Sequence, residues 1–151
     1  MKAGSAVFID TNVLVYAAVE DSPFRALACR AMDACFASSA PVWISRQVLR
    51  EYMAIMTRPG LSVPAIPIDT TARQVRHFQS TFQIAEDGPA VTEILLTLLQ
   101  DVSFAGKQIH DANIVATALA YSIPSILTNN VADFDRFSRF VEIVPLENYR
   151  Q

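Results

Sequence analysis

Three short apolar runs in this chain each stop at a polar turn: Ala6-Val7-Phe8-Ile9 before Asp10-Thr11-Asn12, Val42-Trp43-Ile44 before Ser45, and Ser125-Ile126-Leu127 before Thr128-Asn129-Asn130. Apolar residues on consecutive rather than alternate positions mark strands buried on both faces. Such strands belong to a parallel sheet with helices on each side, because parallel neighbours are joined by crossovers that lay helices over the sheet.

The intervening segments carry the helical period. Val13 to Ala18 restarts an apolar pattern that Thr11 or Asn12 can cap, and Ser22-Pro23 opens a second helix through about Phe36. Ser45 caps a helix through about Met56. Helices are expected from Asp69 to about Ser80 and from Pro89 to about Gln100, with Phe82-Gln83-Ile84 between them ambiguous. Pro59, Gly60, Pro64 and Pro67 require a loop, since each proline lacks an amide donor. DANIVATALAY, Asp111 to Tyr121, is Ala-rich and apolar nearly all round, as a central buried helix must be, and Val141-Glu142-Ile143-Val144 before Pro145 gives one more strand. Strands alternating with helices argue an α/β domain with a mainly parallel sheet. No repeat or linker divides it, so residues 1–151 are expected to form one domain.

Composition narrows the function classes. Hydrophobic residues make up 52% and charged residues 18%, a globular balance with no run long enough to span a membrane. Asp10 arrives too early for a secretory signal, so the expected location is the cytoplasm. Cys29 and Cys35, six apart on a helix, point to different faces, which argues against a disulfide, and two cysteines and two histidines supply no zinc cluster. A net charge of −3 opposes indiscriminate nucleic-acid binding, although Arg46, Arg50, Arg58, Arg73 and Arg76 face only Glu51 and Asp69 over that stretch. No GxSxG elbow, phosphate loop or dinucleotide fingerprint occurs, and His77 and His110 have no nucleophile at a recognisable motif.

In open parallel sheets, sites form beyond the carboxyl ends of the strands. Asp10 stands directly after the first strand, Glu51 rides the helix opened by Ser45, and Asp111 heads the apolar helix. Either aspartate alone is explained by helix capping. Glu51, flanked by Val48, Leu49, Tyr52, Ile55 and Met56, lies at the edge of a buried face rather than squarely in solvent. Gathered carboxylates repel unless a cation compensates, so the three together suit a hard divalent ion with oxygen ligands.

The blocks FIDTNVLVYA (8–17), Glu51 in SRQVLREY, HDANIVATAL (110–119) and LTNNVADF (127–134) occur in an order that resembles the PIN-domain family, specifically the VapC-type toxin ribonucleases of bacterial toxin–antitoxin pairs. The resemblance spans nearly the whole chain. It implies a PIN-like three-layer α/β fold, a Mg²⁺ or Mn²⁺ pocket, and endonucleolytic hydrolysis of RNA without a covalent enzyme intermediate. Asp10 and Asp111 match the family's metal-binding aspartates and Glu51 its third acid. The fourth acidic position falls on Asn130, with Asp133 close behind; Asn130 is expected in the pocket and Asp133 as a cap of the turn before Phe134. Thr11, Asn12, Thr128 and Asn129 would supply neutral hydrogen bonds around the carboxylates, and Arg46 or Arg50 would grip the RNA backbone.

The resemblance also implies a VapB-like antitoxin whose C-terminal segment covers the acidic pocket, and a homodimer. Two alternatives stay open: a PIN-type RNA-processing nuclease without antitoxin, and a non-enzymatic α/β module that binds Mg²⁺ and a phosphate. Receiver domains of the latter kind want a lysine after a late strand, where this chain has Thr128-Asn129.

Overall fold

The computed structural model describes residues 5–59 and 66–149. Its centre is a five-stranded, wholly parallel sheet: β1 (Val7–Ile9), β2 (Val42–Ser45), β3 (Gln83–Ala85), β4 (Ser125–Thr128) and β5 (Glu142–Pro145) in the order β3-β2-β1-β4-β5. The apolar runs are buried on both faces as expected: Phe8, Ile9, Ile44, Ile126 and Leu127 are all fully enclosed. The ambiguous stretch before Pro89 resolves as edge strand β3, paired with β2 from Trp43 opposite Gln83 to Ser45 opposite Ala85.

Helices fill the crossovers: α1 (Thr11–Ala18), α2 (Arg25–Ala37), α3 (Arg46–Met56), α4 (Ile68–Thr81), α5 (Pro89–Asp101), α6 (Gln108–Ala120) and the short α7 (Val131–Phe134), followed by a 3-10 turn at Asp135–Phe137. From β1 the chain steps through β2 to β3, then jumps back to β4 on the other side of β1. Because βαβ crossovers are right-handed, that reversal puts α1–α4 on one face and α5–α6 on the other, giving three layers. Accordingly α1 packs on α2 and α3, α3 on α4, and α5 on α6.

Two helix starts differ from expectation. Asp10, not Thr11 or Asn12, caps α1: its backbone is extended and its side chain accepts the Thr11 N–H. The apolar helix begins at Gln108, so Asp111 lies within its first turn instead of at its cap. Gly106, at φ +59°, makes the turn into it, and the apolar pattern alone gave no sign of the extra residues. Ser22-Pro23 lead into α2, which starts at Arg25. Ser45 caps α3 by accepting the Val48 N–H at 3.2 Å, as expected. Ile55 departs from its place on the buried face of α3 and is 44% exposed. Pro59 and Pro67 lie outside helices, whereas Gly60 and Pro64 fall outside the described residues. Cys29 and Cys35 are both free thiols, Cys35 buried and Cys29 partly so. No helix among the described residues is long and apolar enough to cross a membrane.

Candidate metal centre

The reversal in strand order between β1 and β4 opens a crevice beyond their carboxyl ends, the place where open α/β sheets bind ligands. Register delivers the first two residues to it. Ile9 pairs with Leu127, so Asp10 and Thr128 emerge side by side, and the Asp10 N–H donates to the Leu127 carbonyl at 3.0 Å.

Asp10 is 5% exposed and saturated with neutral donors. Its Oδ1 accepts the Thr11 N–H at 2.7 Å; its Oδ2 accepts Thr128 Oγ1 at 2.7 Å and the Asn12 amide. Asn12 also donates to Thr128 Oγ1 at 3.1 Å and accepts the Asn129 N–H at 3.0 Å, tying the two strand ends together. Burial nonetheless outweighs these bonds: the Asp10 carboxyl is pushed up to about 6, with Glu51 and Asp111 adding to the rise.

Glu51 is held at both oxygens. Thr11 Oγ1 donates to Oε2 and Gln47 Nε2 to Oε1, each at 2.7 Å. Gln47 also donates to the main-chain oxygen of His110 at 2.9 Å and accepts from Asn113 Nδ2 at 2.7 Å. Asp111, the residue after His110 in the first turn of α6, is likewise pushed up to about 6, first by burial, then by Asp133 and Glu51, against the lowering effect of His110 and Arg136. The three expected acids therefore share one electrostatic field. They do not form a closed cage, however: among the described residues no three His, Cys, Asp or Glu side chains are close enough to hold a metal ion ready-made.

The donor set still fits a hard cation. It is all oxygen, it is unneutralised, and none of these carboxylates forms an ion pair among the described residues. Mg²⁺ characteristically keeps several waters and binds through one or two carboxylates plus substrate phosphate, so a loose cluster suits it better than a closed cage would.

The remaining expected residues divide. Thr11, Asn12 and Thr128 hydrogen-bond the carboxylates, while Asn129 gives its main-chain N–H to Asn12. Asn130 is exposed and gives its N–H to Thr128 Oγ1 at 3.0 Å; among the described residues its side chain makes no hydrogen bond. Asp133 lies in the first turn of α7, whose N-cap is Asn130, and its charge raises the Asp111 carboxyl. Arg46 is engaged by Glu86 at 2.7 Å and Arg50 by Asp87 at 3.5 Å, so the arginine excess read from the sequence is partly neutralised by the loop after β3.

Three residues went unnoticed in the sequence. Gln47 and Asn113 were legible only as polar interruptions on otherwise apolar helix faces. Arg136, in the 3-10 turn, gave no signal at all; its Nη1 donates to the Ser103 carbonyl at 3.1 Å, its Nε is buried without a partner, and it has no carboxylate in ion-pair range among the described residues.

Residues 7–139 match the PIN domain family. No curated protein matches the chain. Among solved structures, a toxin–antitoxin complex from Klebsiella pneumoniae is similar at 24% identity and a TM-score of 0.64, covering 94% of this chain and 98% of that one. VapBC2 from Rickettsia felis, bound to a DNA fragment from its promoter, is similar at 21% identity and 0.61, covering 93% and 98%. The sarcin-ricin-loop-cleaving toxin VapC20 of Mycobacterium tuberculosis is similar at 17% identity and 0.59, covering 80% and 86%. At these identities the likeness is one of fold.

Proposed function

The chain belongs to the PIN-domain family, and on that premise we propose that it is a Mg²⁺- or Mn²⁺-dependent endoribonuclease, the toxin of a toxin–antitoxin pair, with residues 1–151 forming a single domain. The observation that carries this proposal is the convergence of Asp10, Glu51 and Asp111, unneutralised, at the reversal point of a parallel sheet.

Asp10, Asp111 and Glu51 would hold the cation through oxygen, directly or through water. Once bound, the ion supplies Lewis-acid neutralisation of phosphate oxygens and acidifies water for attack on phosphorus. The protein's own part is orientation. Thr11 and Gln47 fix both oxygens of Glu51, and Thr128 and Asn12 fix Asp10, so the carboxylates meet substrate without first rearranging. Asp133 takes the fourth acidic corner, because its charge acts on Asp111, and Asn130 stays outside it. The backbone contact expected of Arg46 or Arg50 passes to Arg136, whose charge acts on Asp111 and which forms no ion pair among the described residues.

The proposed partners are RNA as substrate, a VapB-like antitoxin over the pocket, and a second copy of the chain. The similar structures, themselves toxin–antitoxin complexes, support an antitoxin. So does the surface: a groove of about 390 Å³ bounded by Leu14, Ala17, Met32, Tyr52 and Phe78, and the exposed Leu96, Leu99 and Ile109, leave apolar area to cover. Incubating the purified protein with single-stranded RNA in Mg²⁺, Mn²⁺ or EDTA tests the activity. Metal-dependent internal cleavage is expected, and an RNA left intact with both ions would overturn the proposal in favour of a binding module.

A further inference from the structure

Gln47 is a polar side chain in an apolar place. It is 6% exposed on the inner face of α3, next to the fully buried Val48. All of its amide hydrogen-bonding groups are used, and they join α3 to α6. One N–H goes to Glu51 Oε1 a turn further along α3; the other goes to the carbonyl of His110, the residue before Asp111 on α6; and Oε1 accepts from Asn113, two residues beyond Asp111. The orientation of the amide is therefore fixed from outside. With Asn113 donating to its oxygen, the flipped amide would set two NH₂ groups against each other and turn an oxygen toward the Glu51 carboxylate.

We infer that Gln47 is a positioning residue for the cation site, locking the Glu51 carboxylate to the turn of α6 that carries Asp111. The inference rests on the divalent-cation site proposed above. It explains why a buried glutamine stands where an apolar residue would pack: α3 and α6 lie on opposite faces of the sheet and each delivers one carboxylate, so a link between them past the sheet end sets the spacing of the two acids. Thr11 secures the other oxygen of Glu51, so Gln47 completes a clamp. Outer hydrogen bonds of this kind change metal affinity by about 10- to 100-fold when removed.

The test is Mn²⁺ titration by calorimetry on the full chain without RNA, with thermal unfolding in EDTA as a check of folding. Gln47→Met, which keeps length and removes the hydrogen bonds, should weaken Mn²⁺ binding by about tenfold or more. In a Glu51→Gln background the same change should cost less than about twofold, because Gln47 acts through Glu51. Asn113→Asp supplies a second route. It adds negative charge near the cation but sets an acceptor against the Gln47 oxygen in place of a donor, which loosens the clamp on Glu51, so affinity should fall rather than rise.

Unchanged Mn²⁺ affinity in Gln47→Met, an equal loss in both backgrounds, or tighter binding in Asn113→Asp would overturn the role of Gln47 while leaving the metal site standing. A wild-type chain that binds no Mn²⁺ would overturn the site and this inference together. Should Gln47→Met fail to fold, the Asn113→Asp result decides alone.

Discussion

Thr128 Oγ1 stands 2.7 Å from Asp10 Oδ2, a hydrogen bond joining the last residue of β4 to the first residue after β1. It is one of the bonds that hold the Asp10 carboxyl down against burial, which prevails and leaves it at about 6. Thr128→Val keeps the shape and removes the donor, so Asp10 should titrate above that value and protons should compete with cation up to higher pH. Losing the hydroxyl also strips the Asn130 N–H of its acceptor, and the cost in stability at pH 8 should be about 1–3 kcal/mol. Urea unfolding together with Mn²⁺ titration across pH 5–8 checks both effects.

Asp111 gives a prediction of opposite sign. Its carboxyl is raised in the folded chain, so the group favours the fold below its unfolded value near 4, and that contribution is lost as pH rises through about 6. Asp111→Asn removes the loss. In EDTA the variant should gain about 1 kcal/mol above pH 7 and nothing at pH 4, the figure being well below the full shift because the group is partly exposed. Unfolding midpoints at the two pH values measure it; equal differences at both would contradict the electrostatic origin of the raised carboxyl.

These two residues also mark how far the sequence could be read. The positions of Asp10 and Thr128 at neighbouring strand ends are legible because each directly follows an apolar run, and strand ends of a parallel sheet are where sites form. Asp111 was identified as an acid heading the buried helix, but its exact place was missed, since residues 108–110 carry no apolar pattern and Gly106 hides the helix start. The β3 edge strand was equally faint: half-exposed Gln83-Ile84-Ala85 has no period of its own and becomes a strand by pairing with β2. Which polar side chains touch across elements was not legible. Glu86 and Asp87 neutralise Arg46 and Arg50 over a separation of about forty residues, and spacing along the chain says nothing about such pairs.

The fourth acidic corner separates Asp133 from Asn130. Asp133→Asn should weaken Mn²⁺ binding several-fold, because it removes a charge that acts on Asp111, and should leave the unfolding midpoint nearly unchanged because the side chain is exposed. Asn130→Ala should leave affinity within about twofold, as an exposed amide adds no charge. Calorimetry on the two variants side by side distinguishes the corners, and a larger loss in Asn130→Ala would reverse their assignment.

Arg136 is pinned by its neighbours. Phe134 and Phe137, which flank it in sequence, are buried, Phe137 meets Phe104 edge-on at 5.4 Å, and the Arg136 charge acts on Asp111. If it contacts one phosphate of single-stranded RNA, Arg136→Gln should raise KM about tenfold with little change in kcat. The slope of log affinity against log salt should fall by about 0.7. Arg136→Lys should restore the slope. A loss of stability with an unaltered slope would make Arg136 a structural link to Ser103 and no more.

The most direct measurement compares wild type with Asp111→Asn on the same single-stranded RNA, each at saturating Mn²⁺, with folding of both confirmed by thermal unfolding. The variant keeps size and removes one carboxylate from the cluster, so internal cleavage by the wild type should fall by about a hundredfold or more. Full cleavage by a folded Asp111→Asn protein would contradict the assignment of catalysis to the acidic crevice between β1 and β4.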